Sequence, residues 1–219
     1  MKQKKSVVSF SGGKDSTLAL YHTLQTGEPL ALLMMLEEQG LRSRSHAMPM
    51  EMIQAQAASI GLPLLSAASA WENYEQHFLQ LLQQGKALGA EVLVTGDLDV
   101  PAQNSWHAQM AQRAGLALHM PLYNREHRET VDEFIALGFS AIVVTVNLAL
   151  GMRPADLGRV LRSDFIEELE SRGIDPSGEG GEFHTTVVAG PIFKTPVTVQ
   201  QGTIIYRDNY AFLPLQLAS

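Results

Sequence analysis

The sequence contains no cysteine in its 219 residues. That absence removes disulfides, thiolate zinc sites, iron–sulfur clusters and cysteine nucleophiles together. It also lacks the His-Glu-x-x-His spacing of a helical zinc site. No hydrophobic run is long: the longest apolar tract, residues 139–152, is too short to cross a bilayer and carries Asn147. Lys2, Lys4 and Lys5 precede an apolar stretch, but Gly12 and Gly13 cut it short and no small-residue cleavage site follows. The expectation is a cytoplasmic protein with no membrane partner. Positive charge is scarce: 16 Lys and Arg stand against 23 Asp and Glu, a net charge of −7. That balance argues against a nonspecific nucleic-acid binder. Internal repeats and low-complexity segments are missing too. With 45% hydrophobic residues, the chain can bury a sizeable core in one α/β domain, or in one domain with a smaller lobe.

The stretch around which the chain is organised lies near its start. Val7, Val8 and Phe10 form an apolar run, then come Ser11, Gly12, Gly13, Lys14, Asp15 and Ser16, and residues 17–24 continue with helical spacing. The pattern reads as strand, tight turn, helix. Glycines let the backbone turn sharply, and the helix N-terminus offers N–H groups and partial positive charge to an anion. The Walker pattern is absent, because the lysine follows two adjacent glycines and an acid precedes the serine. An acid in a phosphate cradle needs a bridging cation, so Asp15 suggests magnesium pyrophosphate rather than bare phosphate. An ordinary glycine turn capped by Asp15 or Ser16 stands beside that reading on spacing alone.

Residues 29–36 are continuously apolar, as a strand buried on both faces requires. Strand, helix, strand begins a parallel α/β fold. Ligands of such sheets bind at the strands' C-terminal ends, so Met34, Met35 and Leu36 are candidates to meet an adenine ring as well as plain core. Arg42, Arg44 and His46 follow in a loop suited to a triphosphate or to solvent. Pro49 opens a helix that Gly61 ends. Trp71, Tyr74, Phe78, Leu81 and Leu82 recur at steps of three and four, which predicts one buried helical face. Residues 91–95 form another buried strand, ending in Gly96, Asp97 and Asp99. Gly96 would let a nucleotide approach the backbone and Asp97 would contact it; Asp99 serves equally as a turn residue. The span 91–146 repeats strand, helix, strand, helix, strand. Residues 1–146 are therefore read as a nucleotide-binding α/β domain and 147–219 as a smaller lobe, with a short helical piece over 156–161 and alternating strands in the tail.

Gly178, Glu179, Gly180, Gly181 and Glu182 make the second unusual stretch. Their glycines fall at positions one, three and four, unlike the dinucleotide fingerprint. Three glycines with two carboxylates suit either a loop that closes over a ligand and accepts hydrogen bonds from an amine or ammonium, or an acidic surface loop.

The hexapeptide from Ser11 to Ser16 resembles the signature of the PP-loop ATP pyrophosphatases. Paired with Gly178-Glu179-Gly180-Gly181-Glu182-Phe183-His184-Thr185, and with Gly190-Pro191-Ile192-Phe193 after it, it resembles one family of that group, the diphthine–ammonia ligases and their ATP-binding relatives. Looser matches at residues 45–49, at Gly96 and at 151–158 extend the likeness over nearly the whole chain. The resemblance implies a HUP-type (Rossmann-like) parallel sheet with helices on both faces, plus a smaller α+β C-terminal lobe. It implies ATP and Mg2+, and amide formation in which a substrate carboxylate is adenylated, AMP and pyrophosphate leave, and ammonia or an amine is transferred. In that family the carboxylate is diphthine, on a translation elongation factor. On this likeness Ser11, Gly12, Gly13, Lys14, Asp15 and Ser16 hold ATP, with Asp15 the metal contact and Met35, Gly96 and Asp97 the further ATP contacts. Glu179, Gly180, Gly181, Glu182, His184 and Thr185 lie in the substrate region. Lys14 and Asp15 are the catalytic candidates, and His46 or His184 would manage the ammonia proton. A homodimer is the assembly carried as an expectation. Two other classes stay open: a PP-loop RNA-modifying enzyme, which zero cysteines and the acidic balance count against, and a non-catalytic adenine-nucleotide-binding module.

Overall fold

The computed structural model describes residues 4–43, 48–101 and 105–218. The first sheet is built from β1 (Lys5–Ser9), β2 (Glu28–Leu36), β3 (Leu64–Ala68), β4 (Val92–Val94) and β5 (Ala117–His119), all parallel, in the order β3-β2-β1-β4-β5. Helices α1 (Lys14–Thr26), α2 (Met50–Ile60), α3 (Tyr74–Ala87) and α4 (Trp106–Ala114) make the crossovers. The central strand is apolar on both sides because both sides are covered. Val8 packs with Leu18 and Leu20 of α1, whereas Val7 packs with Leu81 and Leu82 of α3 and Met110 of α4. This is the Rossmann-like α/β arrangement, and the order reverses between β1 and β4. The loops leaving those two strands diverge there and open a crevice at their C-terminal ends.

Helix α3 crosses β1 at Gly85, where an added Cβ would lie 2.6 Å from Val7 Cγ1. Val7 is β-branched and fully buried, so it cannot swing away. Gly85→Ala is expected to cost about 1–2 kcal/mol, overpacking outweighing the gain in helix propensity of up to about 1 kcal/mol. Urea unfolding of the variant checks this.

After β5 come α5 (His127–Ala136), β6 (Ser140–Asn147), α6 (Ser163–Ser171), β7 (Phe183–Ala189), β8 (Val199–Gln201), β9 (Ile205–Arg207), β10 (Tyr210–Phe212) and β11 (Leu215–Leu217). Here the structure corrects the sequence reading. β6 does not extend the parallel sheet; it pairs antiparallel with β7 and β10 in a second sheet ordered β7-β6-β10-β9, beside a β11-β8 pair. Its residues are buried from Ala141 to Asn147, so its apolar pattern suits a covered strand in either sheet. The helical piece expected over 156–161 reduces to a 3-10 turn at Pro154–Asp156. Gly158 turns left-handed (φ 80°), and Val160 bridges to Ile142. One apolar cluster joins Val8 and Leu18 of the first unit to Phe134, Val143, Phe165 and Val187 of the second, which fixes the second sheet against α1.

Candidate active site

The loop between β1 and α1 takes the expected form. Gly12 is left-handed (φ 78°), Ser11 Oγ and Ser16 Oγ are 3.1 Å apart, and the Ser16 hydroxyl donates to the Gly13 carbonyl at 3.1 Å. Lys14 opens α1 and is only 5% exposed. Its ammonium donates to Asp15 Oδ2 at 2.8 Å and lies 5.7 Å from the Phe183 ring centroid.

β7 is fastened to this loop. The Lys14 N–H donates to Thr185 Oγ1 at 3.1 Å, across 171 residues of sequence. The Val187 N–H donates to the Gly12 carbonyl at 2.9 Å. The Gln56 amide of α2, fully buried, reaches the Gly12 carbonyl at 3.0 Å, Thr186 Oγ1 at 3.2 Å and the Val187 carbonyl at 2.7 Å. A Cβ on Gly12 would meet Gln56 Oε1 at 2.4 Å. The glycine-rich stretch directly precedes β7, so this docking carries it over the first loop.

The result is a cleft of about 290 Å³ lined by both motifs: Ser11, Lys14, Asp15 and Ser16 on one wall, Glu179, Gly181, His184 and Thr185 on the other, with Gly96 and Asp97 beside them. Met35 lines a second, more apolar cleft of about 370 Å³ that shares Ser9, Ser11 and His184 with the first. Gly12 sits beneath the cradle against Gln56. Glu182 also stays out of the cleft lining: its carboxylate folds back on Gly180, where a Cβ would stand 2.7 Å from Oε1. His46 lies outside the described residues. Gly96 has a tighter neighbour than a nucleotide. A Cβ there would fall 2.7–2.8 Å from the backbone of Asp15 and Ser16, so this glycine lets the end of β4 pack on the first turn of α1.

Charge in the cleft is tuned. Burial alone would raise the Asp97 carboxyl, but the His107 imidazole, 3.0 Å from its Oδ2, holds it below its ordinary value. Glu179 is pushed up to about 7 by burial and then by the Asp15 carboxylate, against the opposing pull of Lys14. A cavity with convergent polar groups and one strongly shifted carboxyl has the properties of a functional site.

Two partners in this region escaped the sequence reading. Gln56 was detectable, since it shares the buried face of Met52, Ile53 and Ala57. Trp71, expected on a buried face, is 70% exposed. It sits in a 3-10 turn (Trp71–Asn73) ahead of α3, where three residues per turn break the 3.6 phase. It lines the second cleft with Tyr74.

Models of the diphthamide synthase N-terminal and C-terminal domains match residues 4–118 and 126–219. The chain belongs to the diphthamide synthase family. The two matched stretches part ahead of α5 and β6, where the parallel sheet has ended. Among curated relatives, diphthine–ammonia ligase of Schizosaccharomyces pombe is 26% identical over 226 residues, covering 91% of this chain and 36% of that protein. The Mus musculus and Homo sapiens diphthine–ammonia ligases are 32% and 30% identical over 98 residues, 43% of this chain and 36% of each. The matches thus span about a third of these relatives' length. A crystal structure of a predicted subunit of tRNA methyltransferase from Methanocaldococcus jannaschii covers 86% of this chain and 98% of its own, at 16% identity and TM-score 0.45, a likeness that carries no inference. Among the described residues no helix is long and apolar enough to cross a membrane.

Proposed function

We propose that this member of the diphthamide synthase family is an ATP-dependent ligase that forms an amide through an acyl adenylate. The observation that carries the reading is the single cleft lined by the Lys14 loop and the Glu179 loop together. ATP lies with its phosphates against Ser11, Lys14 and Ser16 and its base in the apolar cleft of Met35, Trp71 and Tyr74. The acceptor carboxylate, carried on a protein or a smaller molecule, attacks the α-phosphorus; pyrophosphate leaves, and the charge building on it faces Lys14. Ammonium gives a proton to Glu179, whose position near 7 suits a base working at neutral pH. The ammonia formed attacks the acyl carbon, and AMP departs. His184, at the junction of the two clefts, faces the incoming amine.

Mg2+ fits this donor set. Among the described residues no group of three or more His, Asp or Glu is arranged around a metal position, and Mg2+ ordinarily uses one or two carboxylates plus phosphate oxygens. Asp15 would hold it, and when bound the ion neutralises charge on the phosphates.

The test is incubation of the protein with ATP, Mg2+, ammonium and a panel of carboxylates and cell fractions, followed by nucleotide separation. AMP with pyrophosphate is expected; ADP with phosphate would overturn adenylation. Tight ATP binding without turnover in any fraction would favour a nucleotide-sensing module.

Glu179 also predicts a pH effect on stability. Its folded value lies above the ordinary carboxyl value, so the native state holds a proton that the unfolded chain has lost. Stability contributed by this site falls as pH rises from the ordinary carboxyl range through about 7. Glu179→Gln should melt like the wild type near pH 4 and at a higher temperature than the wild type near pH 8.

A further inference from the structure

His127 opens α5, outside the cleft lining, with a carboxylate at each ring nitrogen. Nε2 lies 3.0 Å from Asp99 Oδ1, and Nδ1 lies 2.9 and 3.0 Å from the two oxygens of Asp175. Neutral imidazole has one N–H and one lone pair, so it donates to only one of them; imidazolium donates to both. Asp175 in turn accepts from the Ser177 N–H at 3.0 Å, the Ser177 hydroxyl at 2.8 Å and the Glu179 N–H at 3.1 Å. Ser177 is 1% exposed, and the three bonds that Asp175 accepts are partly buried. Three distant segments are thereby joined: the loop after β4, the start of α5 and the loop bearing Glu179. The last bond of the chain ends on the backbone of the residue whose carboxyl faces Lys14 and Asp15.

We propose that Asp175, held by His127 and Asp99, is a positioning residue that aims Glu179 into the cleft for proton transfer from the amine donor. What Glu179 does there rests on the amide-forming reading; the clamp itself does not. Asp175 touches no reacting atom in this scheme and acts through the Glu179 amide. The charged groups around His127 are Asp99 and Asp175 from the two loops, with Glu179 beyond them and Glu126 and Arg128 flanking it in sequence. Burial draws the imidazole down, but the two aspartates outweigh it and hold it above its ordinary value. The clamp is therefore complete below the ordinary histidine range and weakens as pH rises through the raised value.

The experiment is amide hydrogen exchange over residues 177–181 in the full chain, for wild type, Asp175→Asn, His127→Gln and Asp99→Asn. Ammonium KM and calorimetric ATP Kd are measured in parallel. Exchange about tenfold faster or more is expected in Asp175→Asn and His127→Gln, the effect of losing a charge-assisted hydrogen bond. Asp99, the more exposed partner, should give a smaller change and move the loss of protection to lower pH. Ammonium KM should rise about tenfold while ATP Kd stays put. If Asp175→Asn misfolds, His127→Gln decides alone. Unchanged exchange at 177–181 in His127→Gln would overturn the clamp, and so would an equal weakening of ATP and ammonium. A wild type that forms no AMP would remove the amide-forming reading and with it the proton-transfer role, while faster exchange in the variants would still uphold the clamp.

Discussion

Lys14→Ala is expected to lower AMP formation by about 10²–10³-fold or more while leaving the fold in place, since removing one donor aimed at developing charge has effects of that size. Lys14 is buried at the start of α1, its ammonium reaching Asp15 and the space between the two motifs. With nucleotide bound, that charge would lie beside the leaving pyrophosphate. The substitution also strips Asp15 of its partner, so its carboxylate would face the phosphates uncompensated. The melting temperature should fall only modestly, because the lost contacts are one ion pair whose acid is partly exposed and a 5.7 Å approach to the Phe183 ring. Nucleotide separation after incubation with ATP, Mg2+ and ammonium checks the first part, and a melting curve the second. Wild-type turnover in this variant would remove Lys14 from the mechanism.

Gly96→Ala should be as damaging by a different route. The new methyl would overlap the Asp15 carbonyl carbon and oxygen and the Ser16 nitrogen, at 2.7–2.8 Å. These are backbone atoms in the first turn of a helix, with no side chain to rotate aside. The turn must move, and it is the turn that would hold the phosphates; misplacement by about 1 Å can cost 10²-fold in rate. Overpacking at such a point should also cost about 3 kcal/mol of stability. Gly181→Ala is the control: it faces open space, and only its left-handed backbone (φ 85°) is strained, so it should lose about 1 kcal/mol. Urea unfolding and ATP calorimetry on both variants distinguish them. Equal behaviour would mean that Gly96 is not a packing contact.

The first motif was legible in the sequence because its geometry is local. A strand, two adjacent glycines and a helix start dictate their own turn, whatever surrounds them. The parallel alternation was legible for the same reason, since strands covered on both faces must be apolar throughout. The second motif was visible as a composition, but its place was not. Only the contacts of Thr185 with the Lys14 N–H and of Val187 with Gly12 carry it over the first loop.

Other features had no local signature. β6 reads as a buried strand in any setting, and its partners β7 and β10 are chosen by long-range packing. Trp71 fell out of the helical pattern because a 3-10 turn precedes α3. His127, Asp99 and Asp175 are ordinary loop and helix-start residues until the fold brings them within 3.0 Å. Local chain chemistry suffices for the strand-turn-helix cradle and the parallel core, because backbone propensity and hydrophobic period act between neighbours; the two motifs carry the family likeness. Long-range packing chooses which sheet takes β6, what Gly96 packs against and which groups face Glu179, because these contacts join groups far apart in the chain, up to the 171 residues that separate Lys14 from Thr185.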